Sequence, residues 1–512
     1  MRSPIFPAGD YRLVTPACTV WAITLIGVYT SPTTLMVLGG GVLTMLAVLA
    51  LAVRADVVAW PAVGMLVVVS GMAAVTAAGL CLRLEVRAHH PLSHADGKAT
   101  VLLVVRDDPV AMGPAAIARV RIRVDVLAVS GSPVRTAGAQ LSGAAADWSD
   151  LLPGQRVSAL VRVSPPRRGE LLVARLAATT PPRLVGRPPP QQRWAGAVRT
   201  RLQEVSARAL GPESAGLLPG LVLGDVSALD NRVRDEFRAA GLSHLTAVSG
   251  ANFSLVVGAV VLLVRMLGAS PRITAVAGAI IVVGFVILVR PSPSVLRAAM
   301  MGMIGLLALL GARRSQALPA LGAATVVGLL CWPELAVAPG FALSVLATVG
   351  LVLWSGELRD WLLTRKFPAG VAELVAMALA AQLVTAPVVA MISGRFSVVG
   401  VLANIAVVPV VGVVGVVGTA AALVGAVGGP DGFGAASAEM LVRALAPEMW
   451  WMIRCARILG GQSWAAVPVP DGPIGLLVVL VATVVVVSAV RAARRLTAAG
   501  SVGGIWQHGR RE

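Results

Sequence analysis

What most constrains this chain is the recurrence of apolar runs as long as a lipid bilayer is thick. Three come first, near 14–30, 33–53 and 57–82. A helix crosses about 30 Å of hydrocarbon with about 20 predominantly apolar residues, and these runs are of that order. Composition agrees: 57% of the residues are hydrophobic and 13% charged, with a mean hydropathy of +0.82. Soluble domains carry about 25% charged residues. A water-soluble globule is excluded, and the expected fold class is a polytopic α-helical membrane protein.

Further spans are expected at 250–267, 272–290, 294–311, 317–332, 340–356 and 369–392, with a last one at 473–490. The apolar tract 396–428 is too long for one simple crossing and rich in glycine, so a hairpin, a re-entrant segment or two short helices are expected there. Arg2, Arg12 and Arg54 flank the first crossings, which places the N-terminus in the cytoplasm and the chain after residue 83 outside. Arg313, Arg314, Arg359, Arg365 and Lys366 fall on the cytoplasmic side in the same count. No small-residue cleavage site follows the first run, so it is expected to be retained as a helix. The net charge of +18 rests almost wholly on arginine, Lys98 and Lys366 being the only lysines. Inner loops that fix orientation account for such a charge, and so does attraction to a polyanion. Cys18, Cys81, Cys331 and Cys455 are far apart, and no CxxC or Cys/His cluster suggests zinc or a disulfide framework. No metal and no cofactor are expected.

Residues 84–192 are of a different kind. "ATVLLVVRD", "ARVRIRVDVLAV", "QRVSALVRV" and "ELLVARLAA" alternate with a period of two, and turn material separates them. In "RVRIRVDV", Arg119, Arg121, Arg123 and Asp125 share one face and the aliphatic residues the other. Four or five such strands predict an inserted small β-barrel, OB-like and extracytoplasmic. Its arginines suit either a solvated face or single-stranded nucleic acid. Nucleic-acid sites also use stacking aromatics, and Trp148 is nearly alone here. "PPRLVGRPPPQQ" is a proline-rich linker, and residues 193–210 read as a basic amphipathic helix on the membrane surface.

Polar groups at membrane depth are costly and tend to face the bundle interior or a watery path. The chain has three asparagines, and two of them, Asn252 and Asn404, sit in apolar surroundings. Each either lines such a path or joins two helices through a hydrogen bond. "GLSHLTAVSGANFS" crowds His244, Ser249 and Asn252 at the mouth of an apolar run. In "LVRPSPSVLRAAMMG", Pro291 and Pro293 interrupt the helix between Arg290 and Arg297, and Ser294 shares a helix face with Arg297. These arginines either hold phosphate bidentately or reach out to the interface. Asp225 follows a glycine-punctuated apolar segment, where a helix break is expected. A hydrolytic set of Ser249, His244 and Asp225 lacks the GxSxG pattern of a nucleophile elbow. Three histidines in "AHHPLSH" lie in the linker that enters the β-domain, without paired metal-ligand spacing or an accompanying carboxylate set.

"LLPGLVLGDVSALDNRVRDEFRAAGLSHLTAVSGANFSLV", "RPSPSVLRAAMMG", "GFALSVLATVGL" and "VVGVLANIAVVPVVG" follow one another in the order seen in the ComEC-type DNA-uptake channels, and the chain resembles that family over residues 213–430. The resemblance implies a channel, not an enzyme, that passes single-stranded DNA into the cytoplasm during natural transformation. The expected path residues are Asp225, His244, Ser249, Asn252, Arg290, Ser294, Arg297 and Asn404. Gly224, Gly241, Gly250, Phe341, Ser344 and Pro409 belong to the same motifs and are expected to be structural. Membrane lipid, a surface DNA receptor and a cytoplasmic helicase-like ATPase are the implied partners, and this sequence has no P-loop of its own. The metallo-β-lactamase-like domain of many members has no counterpart in these 512 residues, so strand degradation is expected of a separate nuclease. The alternative readings are a transporter of another anionic solute or polymer, and an intramembrane hydrolase. The implied organisation is three helices in 1–83, the β-domain and linker in 84–192, interfacial and broken helices in 193–249, the channel bundle in 250–495 and a basic tail in 496–512.

Overall fold

A computed structural model describes residues 11–54, 60–112, 118–246, 250–310, 316–427 and 432–489. Three helices come first, α1 (Val14–Tyr29), α2 (Pro32–Arg54) and α3 (Trp60–Ala88), where the apolar runs place them. Hydroxyls inside them bond back to their own helix. Thr24 Oγ1 donates to the Val20 carbonyl at 2.7 Å, and Thr76 Oγ1 to that of Met72 at 2.7 Å. That arrangement satisfies them where no water is present.

The inserted domain is a closed barrel of strands β1 (Gly97–Val105), β2 (Val110–Met112), β3 (Arg119–Val129), β4 (Ser132–Ala144), β5 (Arg156–Ser164), β6 (Arg175–Ala178) and β7 (Arg183–Leu184). The order is β1-β3-β4-β6-β5, and β5 returns to β1 and closes the ring. The β4–β6 pair is parallel and its neighbours are antiparallel. With a short helix α4 (Ala145–Trp148) between β4 and β5, this is a five-stranded barrel of the OB type. On β3 the expected alternation holds: Val120, Ile122 and Val124 are buried while Arg119, Arg121 and Arg123 are exposed. Two features differ from expectation. β4 is a full strand although "SPVRTAGAQLSGA" shows little alternation, because two of its three buried positions, Ala139 and Gly143, flank Leu141 with small residues. And Trp148 is 1% exposed, inside the barrel core, so it offers no stacking surface. Its ring lies where a Cβ on Gly143 would come within 2.6 Å, which fixes glycine at that point of β4.

The remaining elements are α5 (Pro190–Ala209), α6 (Pro212–Leu223), α7 (Asn231–Ala239), α8 (Gly250–Met266), α9 (Pro271–Val289), α10 (Pro293–Leu310), α11 (Ala317–Cys331), α12 (Pro339–Thr364), α13 (Ala369–Ser393), β8 (Arg395–Ser397), α14 (Gly400–Gly425), α15 (Phe433–Ala444), α16 (Ala446–Gly460), β9 (Ala466–Pro468) and α17 (Gly472–Ala489). Among the described residues seven helices are long and apolar enough to cross a membrane: most of α3, then α9, α10, α12, α13, α14 and α17. The chain is therefore a polytopic helical membrane protein carrying a small β-barrel. Helices α1, α8 and α11 are shorter, at 16, 17 and 15 residues. Nine residues of α11 are buried, spread around its circumference, so it is a core helix within the bundle.

The tract 396–428 is neither a hairpin nor two short helices. Phe396 and Ser397 belong to β8, paired with β9, and Gly400–Gly425 form one 26-residue helix, α14, with Pro409 inside it. At 1.5 Å per residue such a helix is about 39 Å long, and a single proline removes one hydrogen bond without ending it. Helix α5 is amphipathic as expected, but protein covers its apolar face: it packs on α6, α9 and α15. Two short helices, α15 and α16, were not anticipated; α16 exposes Trp450 and Trp451, the kind of side chain that settles at a membrane interface.

The described chain divides into two compact units. The first holds the barrel, α1–α6, α8–α11, the start of α12, the later part of α14, α15 and most of α16. The second holds residues 236–242, the rest of α12, α13, the start of α14, and the segment from Cys455 onward.

Candidate functional site

In the first unit the C-terminal ends of two helices organise the polar residues. Helix α6 ends at Gly224, whose φ of +72° is left-handed, a conformation glycine adopts without strain. The Gly224 and Asp225 amides bond back to the carbonyls of Gly220 and Pro219. The last carbonyls of a helix have no intrahelical partner, and here side chains supply one. Asn252 Nδ2 donates to the Leu221 carbonyl at 3.1 Å, and Arg199 Nη1 to the Leu223 carbonyl at 2.7 Å. Asn252 is 4% exposed; it joins α8 to the end of α6, as a helix-bridging amide does.

Helix α9 ends at Arg290, which Pro291 keeps out of the helical region. Its φ of +76° with ψ of 148° is a strained conformation for any residue but glycine. Its Nε donates to both oxygens of Asp108 at 3.1 and 2.9 Å, and its Nη1 to Gln192 Oε1. Arg199 enters the same cluster: its Nη2 lies 3.4 Å from Asp108 and 3.6 Å from Asp225, while Nη1 also reaches the Leu288 carbonyl at 3.4 Å. Burial pushes the Arg199 guanidinium down, and Asp225 and Asp108 oppose that shift. Gln203 and Ser227 complete the partners of Asp225, at 2.8 and 2.7 Å.

Arg297 has other surroundings. It is 8% exposed within α10. Its Nε donates to Ser344 Oγ at 2.6 Å and its Nη1 to Met301 Sδ at 3.1 Å. Its Nη2 sits where a Cβ on Gly250 would come within 2.8 Å, so the glycine that opens α8 makes room for the guanidinium. Among the described residues no carboxylate lies within ion-pair distance of Arg297. Phe341, 0% exposed, packs against Trp21 with the rings tilted and their centroids 5.3 Å apart, and anchors the start of α12, which carries Ser344.

The expected residues thus fall into separate groups. Asp225 and Arg290 meet through Arg199 and Asp108. Arg297, Gly250 and Ser344 meet one another, whereas Ser294 is half-buried and makes no hydrogen bond among the described residues. His244 is exposed on a 3-10 turn, and Ser249 lies outside the described residues. Both oxygens of Asp225 are engaged by Arg199, Gln203 and Ser227, so it does not orient a histidine as a hydrolytic triad requires. In the second unit Gly241, with φ +75°, lies against Ser397 and Gly400. There Asn404 Nδ2 donates to the Gly400 carbonyl of its own helix at 2.7 Å. Pro409, within α14, is exposed. Asp108, Gln192, Arg199 and Gln203 were not singled out from the sequence. Arg199 was findable: Ala195, Val198, Leu202 and Val205 form an apolar stripe, and Arg199 sits on it.

Comparison with known proteins agrees with these motifs. A pattern described as "Competence protein" matches residues 221–494, more than half of the chain. ComE operon protein 3 of Bacillus subtilis (strain 168) is 26% identical over 195 residues, 38% of this chain. The matched stretch spans 24% of that relative's length. No solved structure matches the chain. With the family pattern running from the end of α6 through α17, the chain belongs to the Competence protein family.

Proposed function

We propose that this protein passes single-stranded DNA across the bacterial plasma membrane into the cytoplasm during natural transformation. Membership of the competence family and the similarity to ComE operon protein 3 support a part in DNA uptake. The observation that carries the reading further is Arg297. A buried charge without a counter-ion is costly, by several kcal/mol, and a passing phosphodiester supplies the missing anion. A phosphate held only transiently suits conduction, which needs binding weak enough to release. His244, Asn252 and Ser294 are proposed as further polar groups along the path, and Ser249 with them.

The proposed orientation has the N-terminus in the cytoplasm and the barrel outside. A surface DNA receptor, a cytoplasmic helicase-like ATPase and a separate nuclease are the proposed partners. The test is transformation in a competent host carrying Arg297→Ala or His244→Ala. Uptake of labelled DNA is expected to fall while the protein still inserts in the membrane. Normal uptake by Arg297→Ala would overturn the reading. Labelling an added terminal cysteine from each side of the membrane checks the orientation.

A further inference from the structure

The cluster around Asp108 lies mostly outside the family-matched region, since Asp108, Gln192 and Arg199 all precede residue 221. It brings two guanidinium groups onto one carboxylate that belongs to the barrel, at the connection between β1 and β2. We propose that Arg199, Arg290 and Gln192 form a binding site for a phosphate group, which Asp108 occupies in this conformation and which the phosphate of an incoming strand takes over. The inference rests on the function proposed above for the nature of the strand, though not for the phosphate chemistry.

Three observations carry it. The first is the donor set. A guanidinium offers a planar fork that matches carboxylate and phosphate alike, and here Arg290 presents Nε to both oxygens of Asp108 while Arg199 adds Nη2. The second is a donor left over. Arg290 Nη2 is enclosed and has no hydrogen-bond partner among the described residues. Both carboxylate oxygens are taken by Nε, whereas a tetrahedral phosphodiester sets its two non-bridging oxygens wider apart with its ester oxygens beside them, and free phosphate brings further anionic oxygens, so that a third donor is reached. Leaving such a donor unmet is unfavourable. The third is the backbone of Arg290, held at φ +76° although it is not glycine. Strain of this kind gathers at ligand clamps and switch points.

The charges permit the exchange. Asp108 and Asp225 face Arg199 and Arg290, and a phosphodiester carries the same single negative charge as the carboxylate it replaces. The cluster stays balanced, and the barrel connection is freed from α5 and α9. A strand phosphate therefore acts as the signal that releases the barrel from the bundle.

The test uses the full chain in nanodiscs of zwitterionic lipid, with Asp108→Asn, Asp108→Glu and the pair Asp108→Asn/Arg290→Gln, each checked for monodisperse elution. Equilibrium dialysis measures retained inorganic phosphate, and anisotropy measures a labelled oligothymidylate. Asp108→Asn empties the site of its internal anion and is expected to tighten both by about tenfold, as removal of one competing charge does. Asp108→Glu keeps the carboxylate and is expected to behave as wild type, and the double variant is expected to lose the gain. Unchanged or weaker phosphate binding by Asp108→Asn overturns the proposal, as does a gain that persists in the double variant. A gain for phosphate that phosphatidylglycerol in the disc competes away, with none for the oligonucleotide, supports the site and assigns it to a lipid headgroup. If wild-type cells take up no DNA while the phosphate gain remains, the uptake reading falls and the site stands.

Discussion

Replacing Arg199 by methionine tests whether two broken helices share one clamp. The arginine donates to the last turns of both α6 and α9, at 2.7 Å to Leu223 and 3.4 Å to Leu288, and pairs with Asp108 and Asp225. Methionine keeps the length of the stem but removes every donor. The Leu223 carbonyl then loses its partner inside the protein, at about 1–3 kcal/mol. Removing one member of a buried pair typically costs 3–5 kcal/mol. Two features lower that figure, since Asp225 keeps Gln203 and Ser227 and Asp108 keeps Arg290. The expected loss is about 3 kcal/mol. Arg201→Met is the matched control two residues on. Its partner Glu204 is 50% exposed, and a pair of that kind contributes less than about 1 kcal/mol. Denaturant titration of the purified protein in detergent, followed by helical signal, gives the difference between the two variants. Arg199→Lys is expected to recover only part of the loss, because one ammonium cannot span two carbonyls and two carboxylates. If Arg199→Met unfolds within about 1 kcal/mol of Arg201→Met, the clamp does not exist as described.

Gly250→Ala places a methyl group 2.8 Å from Arg297 Nη2 and is expected to lower DNA uptake with insertion unaffected, whereas Gly258→Ala meets nothing within 4 Å and is expected to be silent; equal uptake by the two would refute the contact. Phe341→Ala empties a fully buried site against Trp21, and thermal melts in detergent are expected to show a loss of about 3–5 kcal/mol. In the barrel, burial opposes ionisation of Glu170, but the hydrogen bonds and charges of Arg175 and Arg167 outweigh it and hold the carboxyl below its ordinary value. A depressed carboxyl stabilises above its unfolded value and loses that contribution as pH falls through the depressed one. Acid titration of barrel circular dichroism is therefore expected to be flatter for Glu170→Gln, and an unchanged acid limb counts against the pairing.

Much of the architecture was legible because two periodicities differ so sharply. "RVRIRVDV" alternates and is a barrel strand; the runs after residue 270 do not alternate and are helices. What escaped notice did so for physical reasons. β4 builds its inner face from residues as small as Ala139 and Gly143, so no hydrophobic alternation marks it. The long tract before residue 428 was expected to fold as a hairpin, a re-entrant segment or two short helices because of its length and its glycines, yet packing inside a bundle tolerates glycine, and Pro409 as well, in one helix. Trp148 looked available to a ligand because sequence does not tell a core aromatic from an exposed one. Partners distant along the chain were the least visible of all: Asp108 and Arg290 are separated by 182 positions, and nothing local to "RDDP" announces the pairing.

Arg290 and Arg297 show why that last kind of information decides function. Seven residues apart, in one motif, they look equivalent. The fold gives the first a resident carboxylate, and among the described residues none lies within ion-pair distance of the second. A counter-ion already in place stabilises a buried guanidinium and must be exchanged before an anion can take its position, whereas a guanidinium without one can meet a passing anion directly. Ser344→Asp separates these two consequences. Ser344 Oγ already lies 2.6 Å from Arg297 Nε, so an aspartate there brings a carboxylate to the same place with one more oxygen. Stability and function should then move in opposite directions: the purified variant is expected to unfold at or above the wild-type denaturant midpoint, while DNA uptake falls as far as in Arg297→Ala. Ser344→Ala removes the hydroxyl without adding charge and is expected to keep more uptake than Ser344→Asp. A Ser344→Asp protein that transforms normally would show that Arg297 needs no vacancy beside it, and that its burial serves packing alone.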